Sequence, residues 1–246
     1  MKQLVVYISF VCLLFLIACE KPENRKCWKS EGDQATLEIG LDSVNSFRLE
    51  KNIKYHLYES SEKKIVIHGG SNMVNQIGLS YLDGELTVSN ENKCHFLRNA
   101  ERYLEVEIYY PTYNRVYLEP SDSVIFHGTF YSDTLLLEMR YGGGTLILDV
   151  DNDYTSIVAS EGTGNYVLSG HSNQSEIKIQ HNGFGDASGF TSNYMFAYQN
   201  STADLNINAE GCSVNALIQG SGDIYYKGTP TGLSLSGSGG GKLIQY

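Results

Sequence analysis

From Asn114 onward the chain repeats itself about every twenty residues, and this period limits what the chain can fold into. Each unit holds an apolar-alternating run, a polar or Gly-rich corner, a second run and another corner. The first runs begin near Val116, Leu135, Ile157, Ile177, Met195, Val214 and Leu233, at spacings of 19, 22, 20, 18, 19 and 19. The second runs hold Val124, Leu146, Val167, Ala187, Leu205, Ile224 and Leu243, at spacings of 22, 21, 20, 18, 19 and 19. Two markers that drift together are the mark of a solenoid whose coils share one continuous core. Within the runs, Leu205-Asn206-Ile207-Asn208 and Leu233-Ser234-Leu235-Ser236 read in-out-in-out, as strands require. Small residues such as Ala159, Ala187 and Ala216 suit a narrow interior. Asn165, Asn182 and Asn200 are read as separate turn residues rather than a stacked ladder. The spacing predicts an all-β parallel β-helix with coils of about twenty residues over 116–246. The competing reading is an antiparallel sandwich, because half the period is also the spacing of hairpin strands.

Composition agrees with an all-β chain. Of 25 glycines, 19 fall after residue 100, many at corners such as Gly142-Gly143-Gly144 and Gly220-Ser221-Gly222, where positive φ is expected. The net charge of −10 offers no field for phosphate, so nucleic acid is excluded as a partner.

The N-terminus reads as an export signal with an anchor. Lys2 precedes an apolar run from Leu4 to Ile17 that ends in Leu16-Ile17-Ala18-Cys19. The run is cut short by Glu20, Lys21 and Pro22, too early for a membrane span. Leu-Ile-Ala-Cys looks like a lipobox, so Cys19 is expected to receive the lipid and begin the mature chain. Residues 1–18 are then signal peptide, 19–35 a tether and 36–246 one domain. Buried acyl chains would hold the protein to the membrane of the cell envelope, with the outer membrane the expected location.

Export places the remaining thiols in an oxidising compartment. Cys27, Cys94 and Cys212 allow three pairings, each with one orphan. The expected pair is Cys27–Cys94, since both lie in the N-terminal half and Cys212 falls in the regular array as a small hydrophobe.

Residues 36–113 are less regular but rich in strand patterns, at 47–49, 53–58, 64–68, 85–88 and 103–110. Asn72 to Ile77 predicts a short helix capped by Asn72.

The segment Gly220-Ser221-Gly222-Asp223-Ile224-Tyr225-Tyr226-Lys227-Gly228-Thr229-Pro230, followed by Ser236-Gly237-Ser238-Gly239, resembles the bacterial family named putative auto-transporter adhesin, head GIN domain. So does the upstream order from the Phe47 strand through Asp83-Gly84-Glu85-Leu86-Thr87-Val88 to Pro111. The resemblance spans roughly 44–246. It implies a right-handed β-helix in an exported or lipid-anchored protein, and it carries no catalytic residues across. Cys27-Trp28-Lys29 and Cys94 to Arg98 are similar to paired features of its lipoprotein members, which supports the Cys27–Cys94 bridge.

Chemistry is sparse. Asp149, Asp151 and Asp153 form the one dense acidic cluster, and alternation puts all three on one face. They are read as a solvated corner, and a calcium site there needs more ligands than the cluster shows. The alternative is a polysaccharide-degrading enzyme working at that edge, which needs paired carboxylates across a substrate. His68-Gly69 and His127-Gly128 resemble the His-Gly of polygalacturonases without their companion motifs. The histidines show no metal-binding helix spacing, and Gly239-Gly240-Gly241-Lys242 lacks the Ser or Thr of a phosphate loop. Catalytic residues, metal ligands and cofactors are therefore all read as none. Only Lys178, Lys227 and Lys242 are basic after Arg140, which disfavours acidic polysaccharides. Tyr109, Tyr110, Tyr113, Tyr117, Tyr131, Tyr141, Tyr154 and Tyr166 recur near corners and strand ends; they are read as residues that suit half-buried pleated surfaces, rather than as an outward row offering platforms to sugars or proteins. The functional expectation is a non-catalytic adhesion, binding or structural module that meets a glycan or protein ligand on a lateral face.

Overall fold

The computed structural model describes residues 30–92 and 104–246. Seventeen strands and one 3-10 turn make up its regular structure, and the strands form a solenoid of about seven turns. Apolar residues alternate inward along most of the strands, and the coils of the array hydrogen-bond in parallel to one another.

Two columns of partners run the length of the stack. One contains Phe47, Val116, Leu137, Ile157, Ile177, Ala197, Ala216 and Leu235. The other contains Tyr55, Val124, Leu146, Tyr166, Gly185, Leu205, Ile224 and Leu243. The markers read from the sequence lie within two residues of these columns. The uneven spacing has a local cause. Val124 pairs with Leu146, 22 residues on, whereas Thr129 pairs with Asp149, 20 residues on. Phe126, His127 and Gly128 stand opposite the single Leu148, so a bulge absorbs the extra length. The array is parallel throughout, and the sandwich reading is excluded.

Four long strands, β9 (Val124–Met139), β10 (Thr145–Ala159), β11 (Asn165–His181) and β12 (Gly185–Ser201), each turn a corner without leaving the ladder. The opposite corner depends on small residues, and for a different reason than expected. Gly142, Gly144, Gly220 and Gly222 do not have positive φ. Left-handed backbone falls instead on Tyr141, Glu161 and His181, one coil apart (φ 53°, 52° and 63°). Glycine is needed here for close approach. A Cβ on Gly220 would overlap the backbone of Ser201, and one on Gly222 the carbonyl of Ala203. Gly239 and Gly241 lie against the carbonyls of Gly220 and Gly222 in the same way. The Gly-Ser-Gly segment is thus the place where successive corners touch backbone to backbone.

The stack does not follow chain order at its N-terminal end. β2 (Ser46–Leu49) lies between β6 (Glu85–Asn90) and β8 (Arg115–Leu118), parallel to both. β3 (Lys54–Glu59) lies likewise between β7 (Glu105–Tyr110) and β9. The first coil is therefore enclosed by coils made later. Antiparallel pairs finish this end: β1 (Gln34–Gly40) on β4 (Lys64–Gly70), β4 on β7, and β5 (Ile77–Leu82) on β6. β1 starts inside the stretch read as tether. The expected helix over 72–77 is instead the single 3-10 turn Val74–Gln76, without a side-chain cap. Asn72 donates its side-chain amide to the Ser30 carbonyl, and Ile77 already belongs to β5, which leaves no room for a longer helix.

The interior is filled. Tyr166 is fully buried above Gly185, its register partner, and a Cβ on Gly185 would overlap the phenol. Here a large side chain fits because its neighbour has none. The Tyr166 hydroxyl is buried without a hydrogen-bond partner, and burial pushes its pKa up. Such an unmet hydroxyl costs about 1–3 kcal/mol. Tyr166→Phe should therefore stabilise the fold by about 1 kcal/mol, while Gly222→Ala should destabilise it by about 1–3 kcal/mol through backbone overlap. Urea unfolding of both variants checks this, and a Tyr166→Phe that lowers stability would show that the hydroxyl has a partner.

Candidate binding surface

Where β9 to β12 turn their shared corner, outward side chains form rows. Tyr131, Asp151, His171 and Thr191 occupy one register column. Two residues further along come Asp133, Asp153, Asn173 and Asn193. Between the rows, Ser132, Asn152, Ser172 and Ser192 form another column, with Asn152, Ser172 and Ser192 buried. The Asn152 side-chain oxygen accepts from the Ser132 backbone N–H at 2.8 Å and hydroxyl at 3.0 Å. Its amide donates to Thr155 Oγ1 at 3.1 Å, and the Thr155 and Ser172 hydroxyls are bonded at 2.7 Å. This buried polar network fixes the backbone that carries the outward rows.

Outside it lies an open cleft of about 490 Å³, bordered by Tyr131, Asp133, Asp151, Asp153, His171 and Asn173. Tyr131 is 60% exposed and offers a ring. His171 Nδ1 pairs with the Thr191 hydroxyl at 3.0 Å, and Asn193 donates its side-chain amide to Asn173 at 3.0 Å. Asp149, Asp151 and Asp153 do share the outward side of β10, as alternation required. Asp149 is nevertheless set apart, because it accepts from the Ser169 hydroxyl at 2.6 Å and does not border the cleft. Asp151 and Asp153 are exposed to solvent, whereas a general-acid carboxyl is set by an apolar enclosure. No Lys or Arg borders the cleft. Among the described residues no group of three or more His, Cys, Asp or Glu is placed to hold a metal ion.

A second cluster lies nearer the N-terminal end. The rings of Tyr109, Tyr58 and His127 stack across β7, β3 and β9, with centroids 4.7 and 4.4 Å apart. Burial and the Glu107 carboxylate push the Tyr109 phenol up to about 12. His56 Nδ1 lies 2.7 Å from His127 Nε2. Partial burial, then Lys54 and His127, hold the His56 imidazolium below its ordinary pKa, against the opposing pull of Glu105 and Glu107. His127-Gly128 thus belongs to a bulge and a ring stack rather than to a hydrolase site.

The tyrosines divide. Tyr110, Tyr113 and Tyr166 are buried, and Tyr131 and Tyr141 are exposed, so these tyrosines form no single outward row. An outward row does occur elsewhere, at Tyr194, Phe196 and Tyr198 of β12. The alternation in Tyr194-Met195-Phe196-Ala197-Tyr198 signals it, because the buried Met195 and Ala197 set the inward side. Cys212 is buried and unpaired, and burial raises its thiol to about 11. Cys19, Cys27 and Cys94 lie outside the described residues, with the signal peptide and most of the tether.

His56 makes the stability of this end pH-dependent. A histidine that resists protonation when folded takes up protons on unfolding, so its contribution is present above its ordinary pKa of about 6.5 and lost as pH falls below it. The melting temperature should drop between about pH 7 and about pH 5, and less steeply in His56→Gln. Equal slopes for the two proteins, measured by thermal melts across that range, would remove His56 from the account.

Among the described residues no helix is long and apolar enough to cross a membrane. No curated protein matches the chain. Solved structures do. A structure described as a putative adhesin from Bacteroides fragilis superposes with a TM-score of 0.79 at 21% identity, over 87% of this chain and 97% of its own. Another putative adhesin, from Parabacteroides merdae, gives 0.64 at 18%, over 88% and 98%. A structure described as a putative lipid binding protein from Parabacteroides distasonis gives 0.67 at 16%, over 88% and 98%. At these identities the likeness shows a shared fold. The family model described as putative auto-transporter adhesin, head GIN domain, matches residues 45–230, from the Phe47 strand through Gly-Ser-Gly-Asp-Ile to Pro230, and the chain belongs to that family.

Proposed function

We propose that this chain is an exported envelope lipoprotein, anchored through Cys19, that binds its ligand along a lateral face without chemical turnover. The cleft at the shared corner carries the reading. It combines an exposed aromatic ring, carboxylate acceptors and paired amides on a rigid ladder, and it is open along its length rather than enclosed. Such a surface suits an extended ligand. The adhesin family and the adhesin-like neighbours support an adhesive role in the envelope or outside the cell. The lipid binding named for one neighbour is less favoured, because Phe47, Tyr55, Tyr166 and Phe190 occupy the interior of this solenoid. A Cys27–Cys94 bridge near the tether would secure the body to its anchor.

Three carboxylates beside one cleft favour a second reading, a glycan-degrading enzyme. Against it stands the absence of Lys and Arg from the residues bordering the cleft.

Two measurements test the proposal. Cys19→Ser should move the protein from the membrane fraction to the soluble fraction and abolish palmitate labelling; labelling that persists would overturn the anchor. On a glycan array, run with the full chain in detergent beside a reducing-end assay, binding without cleavage is expected. Tyr131→Ala and Asp151→Asn should weaken binding by about tenfold. New reducing ends that disappear in Asp151→Asn would establish the enzyme instead.

A further inference from the structure

We infer that the outward face of β12, with the strands beside it, is a platform for an uncharged polysaccharide chain. The inference rests on the binding role proposed above and names a ligand class and a second surface for it.

Tyr194, Phe196 and Tyr198 project from alternate positions of one strand, so neighbouring attachment points are about 6.7 Å apart. Tyr194 is 61% exposed; Phe196 and Tyr198 are half-buried. The Phe196 and Tyr198 rings are parallel to within 7°, with centroids 6.4 Å apart. None of the three is needed by the core, because Met195 and Ala197 fill the inward positions. Lys178 Nζ, from β11, lies over the Phe196 ring at 5.5 Å from its centroid. On the other side of β12 from β11 lies β14 (Ser213–Ile218). There Asn215 is the register partner of Phe196, and beyond it Ser234, on β16 (Gly232–Ser236), donates its hydroxyl to the Asn215 side-chain oxygen at 3.2 Å. The rings form a wall, and amide and hydroxyl groups form the ledge beside it.

This arrangement matches a sugar chain. The C–H face of a pyranose packs on an aromatic ring while its hydroxyls seek small polar groups at the ring's edge. Charge selects within the class. Lys178 is ion-paired with Glu176, so the strip is neutral on a chain of net charge −10 and offers no free cation to uronates or sulfates. A protein partner would instead seek a continuous apolar centre, which the exposed Gln174, Asn215 and Ser234 interrupt.

The test is native affinity electrophoresis of the full chain in detergent, through gels cast with a mannan, a xylan, a mixed-linkage glucan or, as the anionic comparison, polygalacturonate. At least one of the three uncharged polymers should retard the protein, and polygalacturonate should not. Tyr194→Thr and Tyr198→Thr together should weaken retardation by about tenfold, with the thermal melt unchanged because both side chains point outward. Tyr194→Thr alone, at the most exposed position, should weaken it in part and serves if the pair fails to fold. No retardation by any uncharged polymer overturns the inference, as does retardation by polygalacturonate alone or undiminished retardation of the variants. If array binding responds to Tyr131→Ala but not to the β12 variants, the proposed function stands and this inference falls. If binding ignores both surfaces, both fall.

Discussion

The fold depends on successive backbones meeting at one corner with almost nothing between them. In a parallel solenoid each coil hydrogen-bonds to its neighbours over its whole circuit, so the corners must stack at the strand spacing of about 4.8 Å. The corner through Gly142, Gly162, Gly183, Ser201, Gly220 and Gly239 achieves this with residues that have little or no side chain. Turning there costs backbone strain, carried in left-handed conformation by Tyr141 and Glu161, one residue before Gly142 and Gly162, and by His181, two residues before Gly183. The strain is partly offset between coils: the Tyr141 N–H donates to the Glu161 carbonyl and the Glu161 N–H to the His181 ring.

A packed interior follows from the same constraint and determines where function can lie. Coils held this close leave an interior that side chains fill, and the Tyr166 phenol fits where its partner Gly185 has no side chain. Phe47, Tyr55, Tyr166 and Phe190 are among the side chains that occupy this interior. Chemistry is left to the outward positions, which the core does not constrain, and one side chain per coil in register becomes a row. The Tyr131–Asp151–His171–Thr191 row and the buried Asn152 network beneath it show how a rigid ladder holds polar groups in place without a pocket.

Much of this was legible in the sequence, because the repeat and the inward alternation leave regular marks. The Ile157, Ile177 and Leu205 runs fell on their columns, and Gly-Ser-Gly-Asp-Ile pointed to the family. What the sequence concealed was non-local. Enclosure of the β2–β3 coil by strands made later leaves no periodic trace, since each strand alternates alike whichever neighbour it meets. Local polarity at Asn72 suggested a helix that pairing of Ile77 with β6 overrides. Positive φ holds at Gly211, Gly228 and Gly237 but not at Gly142, Gly144, Gly220 and Gly222: composition shows that side chains are missing, not whether φ or a neighbouring carbonyl requires it. The sequence does not separate the tyrosines, because Tyr113 and Tyr166 suit a buried column as well as an exposed one, and only register tells the two apart. The β12 row went unread although its alternation is plain.

The two outward surfaces are continuous, which bears on what they can hold. Asn193, at the corner, bonds to Asn173 of the cleft, and the next residue along β12 is Tyr194, the first ring of the aromatic wall. A chain-like ligand crossing the corner would pass from carboxylates and amides onto a neutral aromatic ledge without leaving the same strands. Each surface alone is shallow, and shallow sites bind weakly because little of the ligand is removed from water. Joined on one scaffold, they would act on one polymer at high effective concentration, and affinity would then grow with ligand length rather than with pocket depth. A shallow surface laid along a ladder of strands would in this way hold an extended partner.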